Sequence, residues 1–486
     1  MNLASRRARH LFLFGIVLAL AGKAALGQAA DTSTQRAIDA LFSSYNSNTP
    51  GVAIAVVKNG QVVFKKGYGV ANLEYGLPIT PGTVFHVASV SKQFTAFSIY
   101  LLEKQGKLSF EDDIRKYVPE MPDLGRPVRL RHLLAHTSGI RDQWALLTLA
   151  GWRMDDVITR QHILKILSRQ RELNFEPGTA FSYSNSGYTL LAEVVRRVSG
   201  QSFAAFTRQN IFAPLGMTST QFYEDFNQVV RNRAYSYEKE NGAYIKKNLN
   251  YSNAGATSLL TTAEDLAKWA SNFEHPVVGD AELIARFNAP SLLDNGQPVV
   301  YAVIEGETNY HAKGQILRNY RGVALWNHGG HDAGYRAYLV RFPSEGLSII
   351  TLSNDEHYEV LKTGLTIAGL YLKDRLKPRP AADTPAAPAG ARTTGGSETA
   401  DLRSLEGEFY SRELSTAYRA KAVAGKLILA HDRLEDIELS EAEQDTFQGR
   451  IEFPVTVKFA RDSKGSVTGF TLANFGVTGV RFDRIR

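Results

Sequence analysis

The chain has 486 residues and no cysteine, so it is long enough for two or three folding units that are held by packing rather than by disulfides. Its fractions of apolar and charged residues favour a globular protein over a disordered or fibrous one. The formal net charge of +7 indicates a nucleic-acid partner only weakly, because much of the basicity precedes Asp31 and no later block of Lys and Arg occurs.

Residues 1–30 have the pattern of a secretory signal peptide. A basic start at 6–10 (Arg-Arg-Ala-Arg-His) precedes an apolar run at 11–21, and small residues suited to cleavage follow. A membrane anchor is the alternative, but the apolar run has only about half of the ~20 residues that a spanning helix needs. The pattern predicts an exported protein, periplasmic or secreted, without a stable transmembrane anchor, and it leaves the export route open.

Residues 31–376 predict an α/β (α+β) domain whose sheet is built from both ends of the segment. Two β-rich runs flank Asn59-Gly60, the strongest short signal for a hairpin. The predicted strands are 51–58, 61–67, 323–327, 335–342 and 347–353, and the predicted helices are 34–47, 93–105, 129–139, 157–168, 186–199, 202–212 and 357–376. A capping-box pattern at 262–265 predicts one further helix start. The simplest assembly is one antiparallel sheet flanked by helices, with an inserted helical lobe.

The last third of the chain changes composition twice. Residues 377–400 are rich in Pro, Ala, Gly, Thr and Ser and predict a linker. Residues 401–486 contain short alternating runs between turns and predict a small all-β domain, an antiparallel barrel or meander. Its predicted strands are 407–411, 417–423, 426–430, 436–439, 455–460, 467–473 and 480–485.

Ser89 and Lys92 are the first candidates for chemistry. They lie where a β-like run turns into an amphipathic helix, and residues three apart share a helix face. A hydroxyl and an amine side by side at a helix N-terminus, where developing negative charge is favoured, can act as nucleophile and base. The alternative is a Ser that caps the helix and a solvated Lys. A second Ser-x-x-Lys, at 236–239, lies in a polar stretch and lacks this context.

Tyr183 and Asn185 are a second candidate pair, between Pro177-Gly178 and an apolar helix. Because one residue separates them, both point the same way in an extended or looped segment. A Tyr hydroxyl can shuttle a proton and an Asn amide can hold a substrate amide, whereas the alternative is a polar helix cap. The similar Tyr251-Ser-Asn253 is the weaker candidate.

The Gly-rich segment 328–334 is the third candidate. Glycines beside a strand let a substrate backbone approach closely. His328, at the edge of the predicted strand, can hydrogen-bond a substrate carboxylate or bring charge to it. The alternative is a Gly-rich turn without a function.

Ser89-x-x-Lys92, Tyr183-x-Asn185 and His328-x-Gly330, in this order, resemble the three active-site motifs of the serine β-lactamase and penicillin-recognising superfamily. The flanking residues are similar to the class C-like branch, for example His-Leu-Leu-Ala-His-Thr-Ser-Gly at 132–139. The likeness covers roughly residues 34–376. Residues 401–486 resemble the lipocalin-like C-terminal domain of some members.

The resemblance implies an exported serine hydrolase that works through an acyl-enzyme on amide or ester bonds. Ser89 is implied as the nucleophile that attacks a carbonyl. Lys92 is implied as the neutral amine that accepts its proton, which requires a lowered pKa. Tyr183 is implied to pass the proton to the leaving group and later to activate water. The resemblance implies no metal ion and no other cofactor.

The resemblance also implies how substrate is held. Asn185, His328 and Gly330 are implied as substrate-binding residues, and the backbone N–H groups of Ser89 and His331 as the oxyanion hole. His328 replaces the Lys usual in β-lactamases, which favours D-stereospecific peptidases, aminopeptidases, amidases or esterases. The expected substrate is a small molecule or peptide, above all a D-amino-acid peptide or amide, with peptidoglycan as one source. β-Lactamase and carboxylesterase are the alternatives, and the oligomeric state stays open.

Three other classes compete with this interpretation. A metal-dependent hydrolase would use His132 and His136 or the cluster at 328–332, but the chain has no His-Glu-x-x-His and no cysteine. We interpret His132 and His136 as structural. An ordinary α/β-hydrolase needs Gly-x-Ser-x-Gly, which the chain lacks. A catalytically inactive binding protein on the same fold would not need intact Ser89, Lys92 and Tyr183.

Overall fold

The computed structural model describes residues 32–304, 306–378 and 401–486. The predicted signal peptide lies outside the described residues, as does the predicted linker from residue 379 onward. The described part contains a mixed α/β domain and a closed antiparallel barrel, which confirms the predicted fold class. Within these three ranges, no helix is both long and apolar enough to cross a bilayer.

Both ends of the first domain build its sheet, as the order of elements predicts. In chain order its strands are β1 (Val52–Lys58), β2 (Gln61–Tyr68), β3 (Val70–Asn72), β4 (Leu77–Pro78), β5 (Phe85–His86), β6 (Ile158–Thr159), β7 (Gln221–Phe222), β8 (Ser236–Glu240), β9 (Ala243–Lys247), β10 (Tyr251–Ser252), β11 (Leu259–Thr261), β12 (Val300–Ile304), β13 (Glu307–His311), β14 (Ile316–Tyr320), β15 (Val323–Asp332), β16 (Tyr335–Phe342) and β17 (Leu347–Ser353). The main sheet has the order β12-β13-β14-β15-β16-β17-β1-β2. The first strand therefore pairs with the last, from Val52 opposite Ser353 to Lys58 opposite Leu347.

Helices cover the sheet and form the inserted lobe. They are α1 (Thr32–Leu41), α2 (Ser91–Lys104), α3 (Leu130–Leu134), α4 (Gln143–Leu149), α5 (Arg160–Leu167), α6 (Asn185–Ser199), α7 (Phe203–Thr207), α8 (Ala263–Asn272), α9 (Ala281–Asn288) and α10 (Val360–Tyr371). Thr262 caps α8 as predicted, since its hydroxyl accepts from the backbone N–H of Asp265 at 3.1 Å. The predicted helix at 34–47 is too long, because α1 ends at Leu41 and turns follow it.

Strands β1, β16 and β17 of the sheet are buried on both faces, whereas the edge strands β2 and β12 are partly exposed. Alternate residues of β1 point to opposite sides: Ala53 and Ala55 belong to one core cluster with residues of α2 and α8, and Val52 and Ile54 belong to another with residues of α1 and α10. This two-sided burial explains why β1 reads as a continuous apolar run rather than as an alternating one. The predicted hairpin is confirmed, with positive φ angles of 49° at Asn59 and 73° at Gly60.

Strand β15 is longer than predicted. It pairs with β16 without a break from Trp326 opposite Arg341 to Asp332 opposite Tyr335. The Gly-rich segment therefore begins as part of a central strand, and interpreting it as a turn is wrong. Strands β12, β13 and β14, which no pattern predicts, extend the sheet beyond β15.

The C-terminal domain is a closed barrel, so the barrel rather than the open meander is correct. Its strands are β18 (Gly407–Ser411), β19 (Thr416–Val423), β20 (Lys426–Ala430), β21 (Ile437–Glu443), β22 (Thr446–Arg450), β23 (Pro454–Arg461), β24 (Val467–Asn474) and β25 (Val477–Arg484). Strand β22, a short polar stretch with a glycine, is absent from the prediction. β25 pairs with β18 and closes the ring, and aromatic side chains such as Phe409, Phe470 and Phe482 fill the interior.

Candidate active site

Ser89 lies in a short 3-10 turn, Ala88–Val90, directly before α2. Ala88 has a φ of 45°, a left-handed conformation that costs on the order of 1–3 kcal/mol for a residue with a side chain. The buried neighbours Ala88 and Val90 hold the turn, and Ser89 itself stays partly exposed. α2 starts without a side-chain cap, so the interpretation of Ser89 as a helix cap is wrong.

Four side chains of the first two motifs meet at this turn. Ser89 Oγ lies 2.9 Å from Lys92 Nζ and accepts a hydrogen bond from the Tyr183 hydroxyl at 3.0 Å. Lys92 is buried rather than solvated, and it donates to Asn185 Oδ1 and to the carbonyl of Ala256, each at 2.8 Å. The structure thus brings Ser89, Lys92, Tyr183 and Asn185 into one hydrogen-bonded group.

The contacts of Lys92 suit a neutral amine. Burial lowers the pKa of Lys92 to about 7, and the charges of Asp332 and Asp142 oppose this shift. A neutral amine has two N–H groups and one lone pair. With its two N–H groups donated to Asn185 and Ala256, the lone pair is left for the hydroxyl proton of Ser89. The arrangement therefore equips Lys92 to accept the Ser89 proton near neutral pH.

Tyr183 is held as a neutral phenol. Burial raises the pKa of Tyr183 well above its usual range. The ring packs against that of His136 at a centroid distance of 4.4 Å. His136 also anchors the segment on both sides of Tyr183, since its carbonyl accepts from Ser182 N–H at 3.0 Å and its Nδ1 from Ser184 N–H at 3.1 Å. A protonated hydroxyl at this place can pass a proton but does not attack as a phenolate.

The third motif reaches the same region from β15. The His328 ring lies 6.4 Å from that of Tyr183, measured between centroids. The pKa of His328 is lowered to about 4, mainly because the ring is buried and secondly because of the charge of Lys92. The imidazole is therefore neutral at neutral pH. His328 Nδ1 lies 2.6 Å from the Gly329 carbonyl. Because a carbonyl only accepts, Nδ1 carries the proton and Nε2 keeps a lone pair.

Gly330 brings β15 against the turn that carries Ser89. A β-carbon at Gly330 would lie 2.2 Å from the carbonyl oxygen of Val87 and 3.2 Å from the β-carbon of Ala88. The residues whose backbone N–H groups are predicted to form the oxyanion hole, Ser89 and His331, flank this contact. Their role stays a prediction.

Gly330→Ala is expected to destabilise the protein, because the added methyl group overlaps the Val87 carbonyl. We expect the free energy of unfolding, measured by denaturant titration, to fall by about 1–3 kcal/mol. We also expect the Ser89 turn to shift. Gly329→Ala is the matched control, since, apart from its chain neighbours, the one described atom within 4 Å of its added carbon is the Ala337 carbonyl oxygen at 3.8 Å. Equal stability of the two variants would contradict this packing.

His132 and His136 do not act together. His132 Nδ1 accepts from the backbone N–H of Arg129 and its Nε2 lies 3.1 Å from Asp294 Oδ1, whereas His136 supports Tyr183. Both contacts agree with the predicted structural roles.

The alternative Ser-x-x-Lys and Tyr-x-Asn sequences do not form a comparable site. Ser236 donates to the carbonyl of Lys247 at 2.8 Å, and Lys239 is exposed over the ring of Tyr244. Tyr251 stacks on Trp144, and the Asn253 amide donates to Thr189 at 3.2 Å. Among the described residues, none of these four side chains is hydrogen-bonded to Ser89, whose side-chain partners are Lys92 and Tyr183.

Two residues of the site, Ala256 and Asp142, are not among the candidates that the sequence motifs indicate. The Ala256 carbonyl accepts from Lys92, and a backbone acceptor leaves no side-chain signal. Asp142 is buried and accepts hydrogen bonds from the backbone and the side chain of Asn185. The sequence signal at Asp142 is that of a polar residue at a helix start, three positions after Gly139, which indicates an ordinary helix cap.

Known proteins resemble this chain in sequence and in fold. The profile of the family described as Beta-lactamase matches residues 38–370. A D-aminopeptidase of Gluconobacter oxydans is 27% identical over 308 residues, which are 63% of this chain and 56% of that protein. A penicillin-binding protein of Bacillus subtilis is 29% identical over 320 residues, covering 62% of this chain and 68% of that protein.

A solved structure resembles the described fold over most of its length. The octameric penicillin-binding protein homologue of Pyrococcus abyssi has a TM-score of 0.62 at 22% identity, covering 93% of this chain and 99% of that one. At this identity the likeness concerns the fold alone. The chain spans only about half the length of the D-aminopeptidase that it matches.

Proposed function

Since the chain belongs to the beta-lactamase family, we propose that it is a serine hydrolase that forms an acyl-enzyme on Ser89. The observation that carries the proposal is the contact of Ser89 Oγ with Lys92 Nζ at 2.9 Å and with the Tyr183 hydroxyl at 3.0 Å. A nucleophile within hydrogen-bond reach of a neutral base is the arrangement that covalent acyl transfer needs.

In the proposed acylation, Ser89 Oγ bonds to the substrate carbonyl carbon while its proton moves to the lone pair of Lys92. The charge that develops on the carbonyl oxygen is met by the backbone N–H groups of Ser89 and His331. The proton then passes through the Tyr183 hydroxyl to the leaving amine or alcohol as its bond to the carbonyl carbon breaks. Water attacks the ester in the second half, and the same groups carry its proton back to Ser89.

The substrate that we propose is an amide or peptide in which a D-amino acid supplies the carbonyl. A substrate carboxylate at the third motif would need a cation, and His328 is neutral with a lone pair on Nε2. Such an imidazole accepts a hydrogen bond from an N–H group more readily than it binds an anion. The likeness to a D-aminopeptidase supports the same class. Peptides released from peptidoglycan are one source of such substrates.

A substrate panel tests the proposal. We expect a D-alanine anilide to be hydrolysed with a kcat/KM about 10²-fold or more above that of its L-enantiomer, because the mirrored side chain displaces the carbonyl from Ser89. We also expect the kcat/KM of the D-alanine anilide to exceed that of a D-Ala-D-Ala peptide and that of a chromogenic cephalosporin, because both of these carry a carboxylate. Mass spectrometry of a quenched reaction should find the acyl group on Ser89.

Each other outcome of the panel selects an alternative. Preference for the cephalosporin would favour a β-lactamase, and preference for nitrophenyl esters without D-selectivity would favour a carboxylesterase. If no substrate turns over and a fluorophosphonate leaves Ser89 unlabelled, the protein is a binding protein on this fold.

We further propose that the protein is exported, to the periplasm or out of the cell. The signal-like composition of residues 1–30 supports this location. The mass of the protein isolated from the producing cell tests it: a full-length chain in the cytoplasm would contradict export.

A further inference from the structure

Asp142 is a buried carboxylate that binds the second motif directly. Its side chain is 1% exposed. One oxygen accepts from the backbone N–H groups of Trp144 and Ala145, at 2.9 and 3.3 Å. The other accepts from Asn185 N–H at 2.7 Å and from Asn185 Nδ2 at 2.9 Å. Every partner is an N–H donor, which is the set of partners that an ionised carboxylate satisfies.

These contacts set the orientation of the Asn185 amide. An amide has a donor end and an acceptor end, and the Asp142 carboxylate can bind only the donor end. The acceptor end, Oδ1, then faces Lys92 Nζ at 2.8 Å. If the amide turned over, its NH2 group would face the N–H groups of Lys92, and Lys92 would lose one of the two acceptors that leave its lone pair free for Ser89.

The C-terminal barrel holds Asp142 from the opposite side. The backbone N–H of Asp142 donates to the Gly476 carbonyl at 2.9 Å, between β24 and β25. The Asn174 amide donates to the same carbonyl at 3.1 Å and accepts from the backbone N–H of Thr478 at 3.0 Å. A β-carbon on Gly476 would lie 2.7 Å from that of Asp142. The barrel backbone is therefore in direct contact with Asp142.

An ion pair next to Asp142 strengthens this contact. Arg141, 1% exposed, donates to Glu413 of the barrel at 2.7 Å and to the Thr478 carbonyl at 2.9 Å. Glu413 also accepts from the backbone N–H of Arg171 at 3.0 Å. Removal of one partner from a buried pair leaves an uncompensated charge, so this interface tolerates little displacement.

We propose that Asp142 is a positioning residue that orients Asn185 and, through it, Lys92, and that the barrel holds Asp142 in place through Gly476 and the Arg141–Glu413 pair. The barrel thereby contributes to the serine site through a chain of hydrogen bonds that runs from Gly476 to Ser89. This inference rests on the proposed function, because it assigns Lys92 as the base.

Asp142→Asn tests the first part, with the rate of Ser89 labelling by a fluorophosphonate as the readout in the full-length protein. We expect the rate to fall about 10- to 100-fold, since the Asn185 amide loses its fixed orientation. The pH at which the labelling rate reaches half of its maximum should also be lower than in the wild-type protein. Of the charged groups around Lys92, Asp142 and Asp332 raise its pKa, whereas His136 and His328 are neutral. Because loss of the Asp142 charge moves this titration by itself, the fall in rate at a pH where Lys92 is fully neutral is the measure of the lost Asn185 orientation.

Gly476→Ala tests the barrel and serves as the second variant if Asp142→Asn does not fold. We expect about a tenfold lower labelling rate, because the added carbon displaces Asp142. Gly369→Ala is the matched control, since no described atom outside its own helix lies within 4 Å of its added carbon. Glu413→Gln should lower the labelling rate as Gly476→Ala does. Glu438→Gln, which alters an exposed ion pair of the barrel, should leave the labelling rate at the wild-type value.

The outcomes separate this inference from the proposed function. The inference alone would be overturned if Ser89 is labelled in the wild-type protein and a folded Asp142→Asn or Gly476→Ala variant is labelled with the same rate and the same pH dependence. Absence of labelling in the wild-type protein would overturn the proposed function and the inference with it. A lower rate with a titration moved to lower pH in Asp142→Asn, and a lower rate in Gly476→Ala, support the inference.

Discussion

Ser89→Ala is expected to lower kcat/KM on the best substrate of the panel by about 10⁴-fold or more, because the substitution removes the proposed nucleophile. The expected change in the free energy of unfolding is about 1 kcal/mol or less, since the hydroxyl is partly exposed and the substitution leaves no large cavity. Steady-state kinetics and denaturant titration on the same preparation measure both quantities.

Ser184, which lies between Tyr183 and Asn185 in the sequence, is the control for the loss of a serine hydroxyl. Its hydroxyl is buried and has no hydrogen-bond partner among the described residues, so Ser184→Ala should keep both activity and Ser89 labelling. Hydrolysis by Ser89→Ala at an undiminished rate would rule out Ser89 as the nucleophile.

Lys92→Met is expected to lower the rate of Ser89 labelling by about 10³-fold, which is within the range for loss of a general base. Methionine fills a similar buried volume without an amine, so the fold should persist. The wild-type rate should rise with pH and reach half of its maximum near pH 7, because the proposed base is the deprotonated amine and burial lowers the pKa of Lys92 to about 7. The variant should lack this rise.

Lys239→Met is the matched control for the lysine. Lys239 is exposed in the second Ser-x-x-Lys sequence, so its loss should change neither the rate nor the pH profile. A rise of the rate centred near pH 7 that survives in Lys92→Met would assign the titration to another group.

The parts of the site that sequence predicts are those with a local or ordered pattern. Ser89 and Lys92 are three residues apart at a strand-to-helix transition, so helical geometry alone places them together. Tyr183 and Asn185 follow from their spacing and from the order of the three motifs. Family membership and the α/β sheet with its separate barrel are confirmed.

The parts that sequence does not predict depend on contacts between distant segments. Asp142 binds Asn185, 43 positions away, and the barrel at Gly476. Its carboxylate looks like an ordinary helix cap until the fold is known. Strands β13, β14 and β22 are short and mix polar with apolar residues, so no alternation marks them, and β12 is a short apolar run without alternation. The protonation of His328 is set by burial and by Lys92, neither of which the motif reveals.

The pairing of β1 with β17 also constrains how the chain acquires its structure. The Gly51 amide is hydrogen-bonded to the side chain of Asn354, 303 positions away. β1 therefore cannot reach its place between β17 and β2 until β17 has left the ribosome, and contacts of such high sequence separation form slowly. The nascent first domain stays incomplete through most of its synthesis, which lengthens the period in which a chaperone can engage an extended polypeptide.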